Sequence, residues 1–257
     1  MPADGRCDEN FEDGVQRLRA PTDPPMSASK PRVFLLIGQS NMAGRGIIDE
    51  VPAIDDPNIL MFRDGEWVTA HEPLHTDKPE RTGIGIGMSF AQEILAAEPG
   101  AAVGLVPCAV GGTPLSRWMP GADLSEAAVA IARKALVDGE LRGFLWHQGE
   151  GDSGEENAAS YGRRLTAAIG GLRAQLDAAE TPFIAGELGE FLAEHEPVSH
   201  FATVNRALVQ LSAAVSLYGC ARSAGLTDKG DAVHFDSRSL REFGRRYAAE
   251  YLKVLAK

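Results

Sequence analysis

Ser40 is the first residue in the chain whose type and position suit nucleophilic chemistry. It follows the apolar run 33–37 and Gly38. A hydroxyl at the turn between a buried strand and a helix is accessible, and the free N–H groups of a helix start stabilise negative charge beside it. Serine in this position also serves as a helix N-cap. The position alone leaves both interpretations open.

A histidine near the end of the chain supplies the second group. His234 lies in Asp231-Ala-Val-His234-Phe235-Asp236, directly before an amphipathic segment. An aspartate three residues before a histidine can turn back and accept the imidazole Nδ1–H, which leaves Nε2 to take a serine proton. The alternative is a surface histidine beside a helix cap, for which Asp236 is a better candidate than Asp231. The spacing indicates a general base with an orienting carboxylate.

Two other segments offer groups that can bind a developing negative charge or a substrate. Gly111 and Gly112 allow a backbone N–H to approach a ligand closely. Gln148 follows an apolar run and carries a side-chain amide that can donate to an oxyanion, and Glu150 can orient a neighbour or accept a substrate hydroxyl. The alternatives are an ordinary turn and hydrogen-bonded polar residues at a strand end.

The elements that must position these groups alternate between strands and helices. Short apolar runs predict five strands, at 33–37, 102–108, 143–146, 183–185 and, more weakly, 215–220. Amphipathic segments predict helices at 88–97, 124–137, 161–179, 198–213 and 237–255. The alternation predicts a single-domain α/β fold, a three-layer α/β/α sandwich with a mainly parallel five-stranded sheet. Ligands of such sheets bind beyond the carboxyl ends of the strands, where all the candidate groups lie.

Two segments depart from this alternation. Residues 49–81 contain four prolines and a possible strand at 59–62, which predicts a long excursion at the functional edge of the sheet. Residues 1–30 are polar and proline-containing, and we expect them to form a disordered N-terminal extension. The folded domain is then expected to span 31–257.

Composition and charge limit the partners. A net charge of −11 argues against nucleic acid and anionic membranes and favours a neutral or cationic substrate. No apolar stretch reaches the roughly 18 residues of a membrane span, and no signal pattern is seen, so we expect a cytoplasmic protein. The three cysteines, Cys7, Cys108 and Cys220, do not form the pattern of a disulfide framework.

One apparent metal motif is rejected. His71-Glu72-Pro73-Leu74-His75 matches H-E-x-x-H, which binds zinc when both histidines lie on one face of a helix. A proline inside the motif breaks such a helix. We therefore expect no metal ion, and the chemistry proposed for Ser40 requires no cofactor.

Four blocks in the right order resemble the sialate O-acetylesterase-like group of SGNH hydrolases, which includes the carbohydrate esterase family 6 acetylxylan esterases. The blocks are Gly38-Gln39-Ser40-Asn41-Met42-Ala43-Gly44, Gly111-Gly112-Thr113-Pro114-Leu115-Ser116-Arg117-Trp118, Trp146-His147-Gln148-Gly149-Glu150-Gly151-Asp152 and Asp231-Ala-Val-His234-Phe235. The resemblance implies an SGNH/flavodoxin-like fold. It also implies a serine esterase that removes short acyl groups, acetyl above all, from carbohydrate hydroxyls. The partner would be a small-molecule or oligosaccharide acetyl ester.

The resemblance also implies residue roles. Ser40 would attack the acyl carbon, His234 would act as base and then acid, and Asp231 would orient His234. The oxyanion hole would comprise the Ser40 N–H, an N–H of Gly111 or Gly112 and the Gln148 amide. Substrate contacts would come from Gln39, Asn41, Arg117, Trp118, His147 and Glu150.

Three alternatives remain at the level of sequence. The first is a short-chain lipid esterase or thioesterase with the same chemistry. The second is a non-catalytic carbohydrate-binding protein on the same scaffold. The third is a flavodoxin-like binding or signalling module, for which the chain has no phosphate-binding loop.

Overall fold

A seven-stranded sheet forms the middle layer of the protein in a computed structural model that describes residues 30–195 and 199–256. The strands are β1 (Arg32–Gly38), β2 (Ile59–Arg63), β3 (Glu66–Thr69), β4 (Val103–Pro107), β5 (Glu140–His147), β6 (Phe183–Gly186) and β7 (Tyr218–Ala221). Their order is β3-β2-β4-β1-β5-β6-β7, and every pair is parallel except β2–β3. Residues 1–29, nearly all of the expected extension, lie outside the described residues.

The α/β sandwich is confirmed, but the predicted number of five strands is wrong. The two additional strands form a hairpin inside the 49–81 excursion. Asp64 and Gly65 make its turn with φ angles of 52° and 91°, the left-handed pair that a tight hairpin requires. Residues 59–61 then pair in parallel with 103–105 of β4, which extends the sheet. Strand β2 lies at the possible strand predicted at 59–62, whereas β3 alternates between exposed and half-buried side chains and carries a weak sequence signal.

Six α-helices in the described part of the chain flank the sheet. They are α1 (Ser40–Ala43), α2 (Gly87–Ala97), α3 (Asp123–Ala135), α4 (Glu155–Gln175), α5 (Phe201–Gln210) and α6 (Ser237–Leu255). Asp236 caps α6 by accepting the Ser239 N–H at 2.7 Å, as its position predicts. No helix in the described ranges has the length and apolarity to cross a bilayer.

Strand β1 separates two hydrophobic cores. Val33, Leu35 and Ile37 point into the core beneath α3, α4 and α5. Phe34 and Leu36 point into the opposite core beneath α2 and α6. All five side chains are fully buried, which explains the uninterrupted apolar run. The strand is thereby fixed from both sides, and its carboxyl end is held in place.

His75 is a buried titratable group on the loop between the hairpin and α2. Burial lowers its pKa from 6.5 to about 4, and the opposing attraction of Asp77 only partly offsets that effect. The ring is therefore neutral in the folded protein at neutral pH. The loop that bears it also carries Asp77 toward the carboxyl edge of the sheet.

This burial predicts a loss of stability in mild acid. The unfolded chain takes up the His75 proton near pH 6.5, whereas the folded protein does so only near pH 4, so stability falls as the pH drops between these values. The difference corresponds to about 3 kcal/mol. Urea unfolding at several pH values should show a shallower decline for His75→Phe than for wild type. A matched His71→Phe variant, at an exposed position, should keep the wild-type decline. Identical pH profiles for all three proteins would contradict the prediction.

Candidate active site

The turn after β1 places Ser40 at the carboxyl edge of the sheet. Gly38 has a φ of +128°, and a Cβ there would lie 2.1 Å from the carbonyl oxygen of His147. The same carbonyl accepts the Gln39 N–H at 2.8 Å. Only glycine allows this approach of two backbones. Ser40 follows as the first residue of the short helix α1.

The three residues predicted to cooperate meet at this edge. The Oγ of Ser40 lies 3.0 Å from Nε2 of His234, and Nδ1 of His234 lies 2.7 Å from Oδ2 of Asp231. The other oxygen of Asp231 accepts the N–H groups of Val233 at 3.0 Å and His234 at 2.7 Å. Serine and histidine are 194 positions apart in the chain, so the fold alone creates this contact.

Hydrogen bonding keeps Asp231 ionised. Partial burial acts to raise its pKa, but the bonds from the His234 ring and from the two backbone N–H groups outweigh it and hold the pKa below its usual range. A carboxylate at this position accepts only, so Nδ1 of His234 carries the proton. The lone pair of Nε2 then faces Ser40, which is the arrangement that lets an imidazole take the serine proton.

Two backbone N–H groups next to the serine remain available for a ligand. Within residues 30–195 and 199–256, neither the Ser40 N–H nor the Gly112 N–H donates to a protein acceptor. Both residues line the same cleft. Pre-positioned N–H groups of this kind stabilise the oxyanion of a tetrahedral intermediate.

Two of the other predicted oxyanion donors do not fit the structure. The Gly111 N–H donates to Oδ2 of Asp77 at 2.7 Å. Gln148 is fully buried, and its amide donates to the Thr113 carbonyl at 3.2 Å and to Asp152 at 2.7 Å. Both of its N–H bonds are therefore used inside the protein. Gly112 remains from the glycine pair, and Gln148 fixes the loop of Thr113.

A buried ion pair that sequence reasoning missed shapes the glycine turn. Nη2 of Arg45 lies 2.8 Å from Oδ2 of Asp77, the oxygen that also accepts the Gly111 N–H. Burial acts to raise the Asp77 pKa, but the bonds from Arg45 and Gly111 lower it below its usual range. The pair orients the turn that presents Gly112. Asp77 lies in the 49–81 excursion predicted at this edge, but nothing in the local pattern singles it out.

Two aromatic residues predicted to contact substrate belong to the interior instead. Trp118 is fully buried, donates to Oγ1 of Thr113 at 3.3 Å and packs edge-on against Trp146. His147 is buried, with Nδ1 3.1 Å from the Tyr247 hydroxyl. Neither side chain can reach a ligand without rearrangement of the core.

Three of the remaining predicted contacts also lie away from the cleft surface. Arg117 is exposed but pairs with Asp123, and it is not among the residues lining the cleft. Asn41 and Glu150 are buried and hydrogen-bonded to each other at 2.6 Å. Among the six predicted contacts, Gln39 alone lines the cleft, and its Oε1 accepts the Gly151 N–H at 3.3 Å.

The cleft beside Ser40 has a volume of about 770 Å³ and a mixed lining. Its charged side chains are Arg45, Lys78, Glu80, Arg81, Lys229 and Asp231, with His234 beside them. Ile47 and Ile48 form an apolar part of the wall and are 53% and 42% exposed. Cations outnumber carboxylates here, whereas the chain as a whole carries −11. The negative net charge of the chain therefore does not predict the charge of the cleft.

A mainly parallel α/β/α sandwich with a serine, a histidine and an aspartate joined at the carboxyl edge of its sheet is the arrangement of an SGNH-type hydrolase. Residues 30–253 match the family described as carbohydrate esterase, sialic acid-specific acetylesterase. The protein belongs to this family. It is a carboxylic ester hydrolase, and its family acts on carbohydrate esters.

Individual relatives agree with this assignment. A probable carbohydrate esterase of Arabidopsis thaliana, At4g34215, is 33% identical over 242 residues, which cover 86% of this chain and 90% of the relative. The X-ray structure of that Arabidopsis protein aligns with a TM-score of 0.79 at 31% identity, over 87% of this chain and 98% of the other. The crystal structure of NanS shares the fold, with a TM-score of 0.74 at 18% identity over 90% and 99% of the two chains.

The crowding around Gly111 gives a prediction for activity. A Cβ at Gly111 would lie 2.3 Å from Nη2 of Arg45 and 3.0 Å from Oδ2 of Asp77, so in Gly111→Ala the buried Arg45–Asp77 pair or the turn must move, and the Gly112 N–H loses its support. Loss of one oxyanion donor costs about 10²-fold in kcat. Steady-state hydrolysis of p-nitrophenyl acetate measures the effect. Gly154→Ala is the matched control, since its Cβ meets nothing within 4 Å, and it should retain activity. Equal rates for the two variants would contradict a role of the Gly111–Gly112 turn in the reaction.

Proposed function

We propose that the protein is a serine esterase that removes acetyl groups from carbohydrate hydroxyls through an acyl-enzyme. The observation that carries the proposal is the continuous line from Asp231 through His234 to Ser40, with the Ser40 and Gly112 N–H groups open beside it. A nucleophile, a base, an orienting carboxylate and two oxyanion donors are the groups that acyl transfer requires.

The first half of the reaction forms the acyl-enzyme. Nε2 of His234 takes the proton of Ser40 as Oγ attacks the acyl carbon, and the carbonyl oxygen becomes an oxyanion bound by the N–H groups of Ser40 and Gly112. The bond to the sugar oxygen then breaks, and the imidazolium of His234 gives its proton to that oxygen. Asp231 stays ionised and holds the imidazolium in place.

The second half consumes water. Nε2 of His234 takes a proton from a water molecule, whose oxygen attacks the acyl carbon. The bond to Oγ of Ser40 breaks, the proton returns to Oγ, and acetate leaves with the second proton of the water released to solvent. Atoms and charge balance with ester and water as the only reactants.

The lining of the cleft favours a sugar over a lipid. A long acyl chain needs a continuous apolar channel, whereas the floor and rim here carry charged side chains and backbone amides. Lys78 and Arg81 form no salt bridge within the described ranges, and Lys229 lies at the same rim. These cations favour an acidic sugar, in agreement with the sialic acid of the family description.

The nucleophile is tested directly by Ser40→Ala. Hydrolysis of p-nitrophenyl acetate should fall by about 10³-fold or more because the covalent route is lost. Intact-mass measurement after rapid mixing should show an acetyl adduct in wild type and none in the variant. Ser212→Ala removes an exposed hydroxyl outside the cleft lining, and it should show the wild-type rate and the acetyl adduct.

Two outcomes would overturn the assignment of Ser40. One is an acetyl adduct that persists in Ser40→Ala. The other is an equally low rate in wild type and variant together with tight binding of an acetylated sugar, which would identify a non-catalytic carbohydrate-binding protein on this scaffold.

The acidic-sugar preference is tested by the double variant Lys78→Ala/Arg81→Ala. We expect kcat/KM for an O-acetylated sialic acid to fall by about 10-fold, since each partly exposed charge contributes a modest amount. The rate on acetylated xylose, which has no carboxylate, should stay within about 2-fold, because no ion pair is lost with a neutral sugar. A higher salt concentration should also reduce the preference of the wild-type protein for the acidic ester over the neutral one. Equal losses on the acidic and the neutral ester would contradict an electrostatic role for the rim.

A further inference from the structure

Asn41 occupies a position that neither substrate binding nor the triad explains. It follows the nucleophile in helix α1 and is only 2% exposed. Its side-chain amide makes three hydrogen bonds, all within the protein. Nδ2 donates to Oε1 of Glu150 at 2.6 Å and to the carbonyl of Val233 at 3.1 Å, and Oδ1 accepts the N–H of Phe235 at 3.1 Å.

The two backbone partners are the residues on either side of His234. The Asn41 side chain is therefore hydrogen-bonded to the peptide groups before and after the histidine, and it links them to the helix that starts with Ser40. The other hydrogen bonds around His234 are local to its loop: Asp231 accepts the Val233 and His234 N–H groups, and the His234 carbonyl accepts the Lys229 N–H at 2.9 Å. The buried Phe235 ring anchors the end of the loop by packing against Phe243, which leaves Asn41 as the link to the helix of Ser40. The middle residue of the loop, Ala232, has a φ of 55°, an unfavourable conformation for a residue with a Cβ.

Glu150 determines which way the Asn41 amide points. Burial acts to raise the pKa of Glu150, but the interactions with His147 and Asn41 outweigh it, so the carboxyl is ionised and accepts only. A donor of Asn41 must therefore face Glu150, and the amide oxygen is left for the Phe235 N–H. On the far side of Glu150 lies the His147 ring, whose Nδ1 is 3.1 Å from the Tyr247 hydroxyl. The Nε2 side of that ring faces Glu150 at 3.5 Å.

We propose that Asn41, oriented by Glu150, is a positioning residue that sets the distance between the catalytic base His234 and the nucleophile Ser40. The proposal rests on the proposed function of that pair. It replaces the role of substrate contact that sequence blocks imply for Asn41 and Glu150. Without the Asn41 hydrogen bonds the His234 loop can move, so the 3.0 Å distance from Nε2 of His234 to Oγ of Ser40 is no longer maintained.

Kinetics of Asn41→Ala on p-nitrophenyl acetate distinguish positioning from binding. We expect kcat to fall by about 10²-fold, the cost of a misplaced catalytic group, with KM within about 3-fold of wild type. Asn205→Ala is the matched control. Its side chain also bridges backbone groups, at the N–H and carbonyl of Leu188, and it lies outside the cleft lining. The control should lose thermal stability comparably and keep its kcat.

A double-mutant cycle tests whether Asn41 acts through the base. In a His234→Ala background, Asn41→Ala should change the residual rate by less than about 2-fold, since there is no base left to position. Losses that multiply in the cycle, a raised KM with unchanged kcat, or a kcat within about 3-fold of wild type in folded Asn41→Ala would each overturn the proposal.

The pair Asn41→Asp and Asn41→Asp/Glu150→Gln tests the orientation by Glu150. The single change sets two carboxylates against each other and should lower kcat at least as far as Asn41→Ala. The added Gln can donate across the same gap and should recover part of the loss. If the double variant recovers no activity, the proposal that Glu150 orients Asn41 is wrong. Ser40→Ala, measured alongside, separates the outcomes: activity there would refute the nucleophile itself, whereas an inactive Ser40→Ala with a fully active Asn41→Ala would refute only the positioning role.

Discussion

The close approach of Gly38 to the His147 carbonyl is the constraint from which the site is built. The parallel pairing of β1 and β5 continues to this pair of residues, which are the last of the two strands. No side chain fits between the two backbones, so the segments that follow them start from adjacent points. The bond between Asn41 and Glu150 shows how close they remain. A Cβ at position 38 would push the segment that carries Ser40 and Asn41 away from the segment that carries Glu150.

Carboxylates around the site act mainly as anchors for backbone groups. Asp77 accepts the Gly111 N–H, and Asp152, which is fully buried, accepts the Leu115 N–H at 2.7 Å. Glu150 orients Asn41 by the same chemistry. A carboxylate offers several lone pairs in fixed directions, and bonds to an ionised acceptor are stronger than those between neutral groups. Four loops from distant parts of the chain are thereby locked without a continuous sheet or helix between them.

The sequence predicted correctly the residues whose type and position beside a strand or helix indicate a role. It failed for residues whose hydrogen-bonding groups are already paired within the protein. Ser40, His234 and Asp231 each follow or precede a recognisable element, and the structure brings them together. Gln148 has the right chemistry for an oxyanion donor, yet its donors are taken by Thr113 and Asp152. Accounting of this kind depends on long-range contacts that no local pattern reports. In the β2–β3 hairpin, the possible strand at 59–62 was marked by its apolar residues, but β3 was not, since a short edge strand is defined by its partner rather than by its own apolar content.

The 49–81 excursion behaves as a wall of the cleft because three separate contacts fix it. Its β2 strand is paired with β4, and Asp77 is held by Arg45. Glu72 forms a buried ion pair with Arg241 of α6 and accepts the Gly85 N–H at 3.1 Å. Breaking a buried pair leaves an uncompensated charge, so a hinge motion of this segment is costly. Lys78 and Arg81 are carried on that fixed wall, so the proposed preference for an acidic sugar requires no closing movement. An open cleft with a rigid base and a charged rim suits a substrate whose ester is one small group on a larger, hydrated molecule.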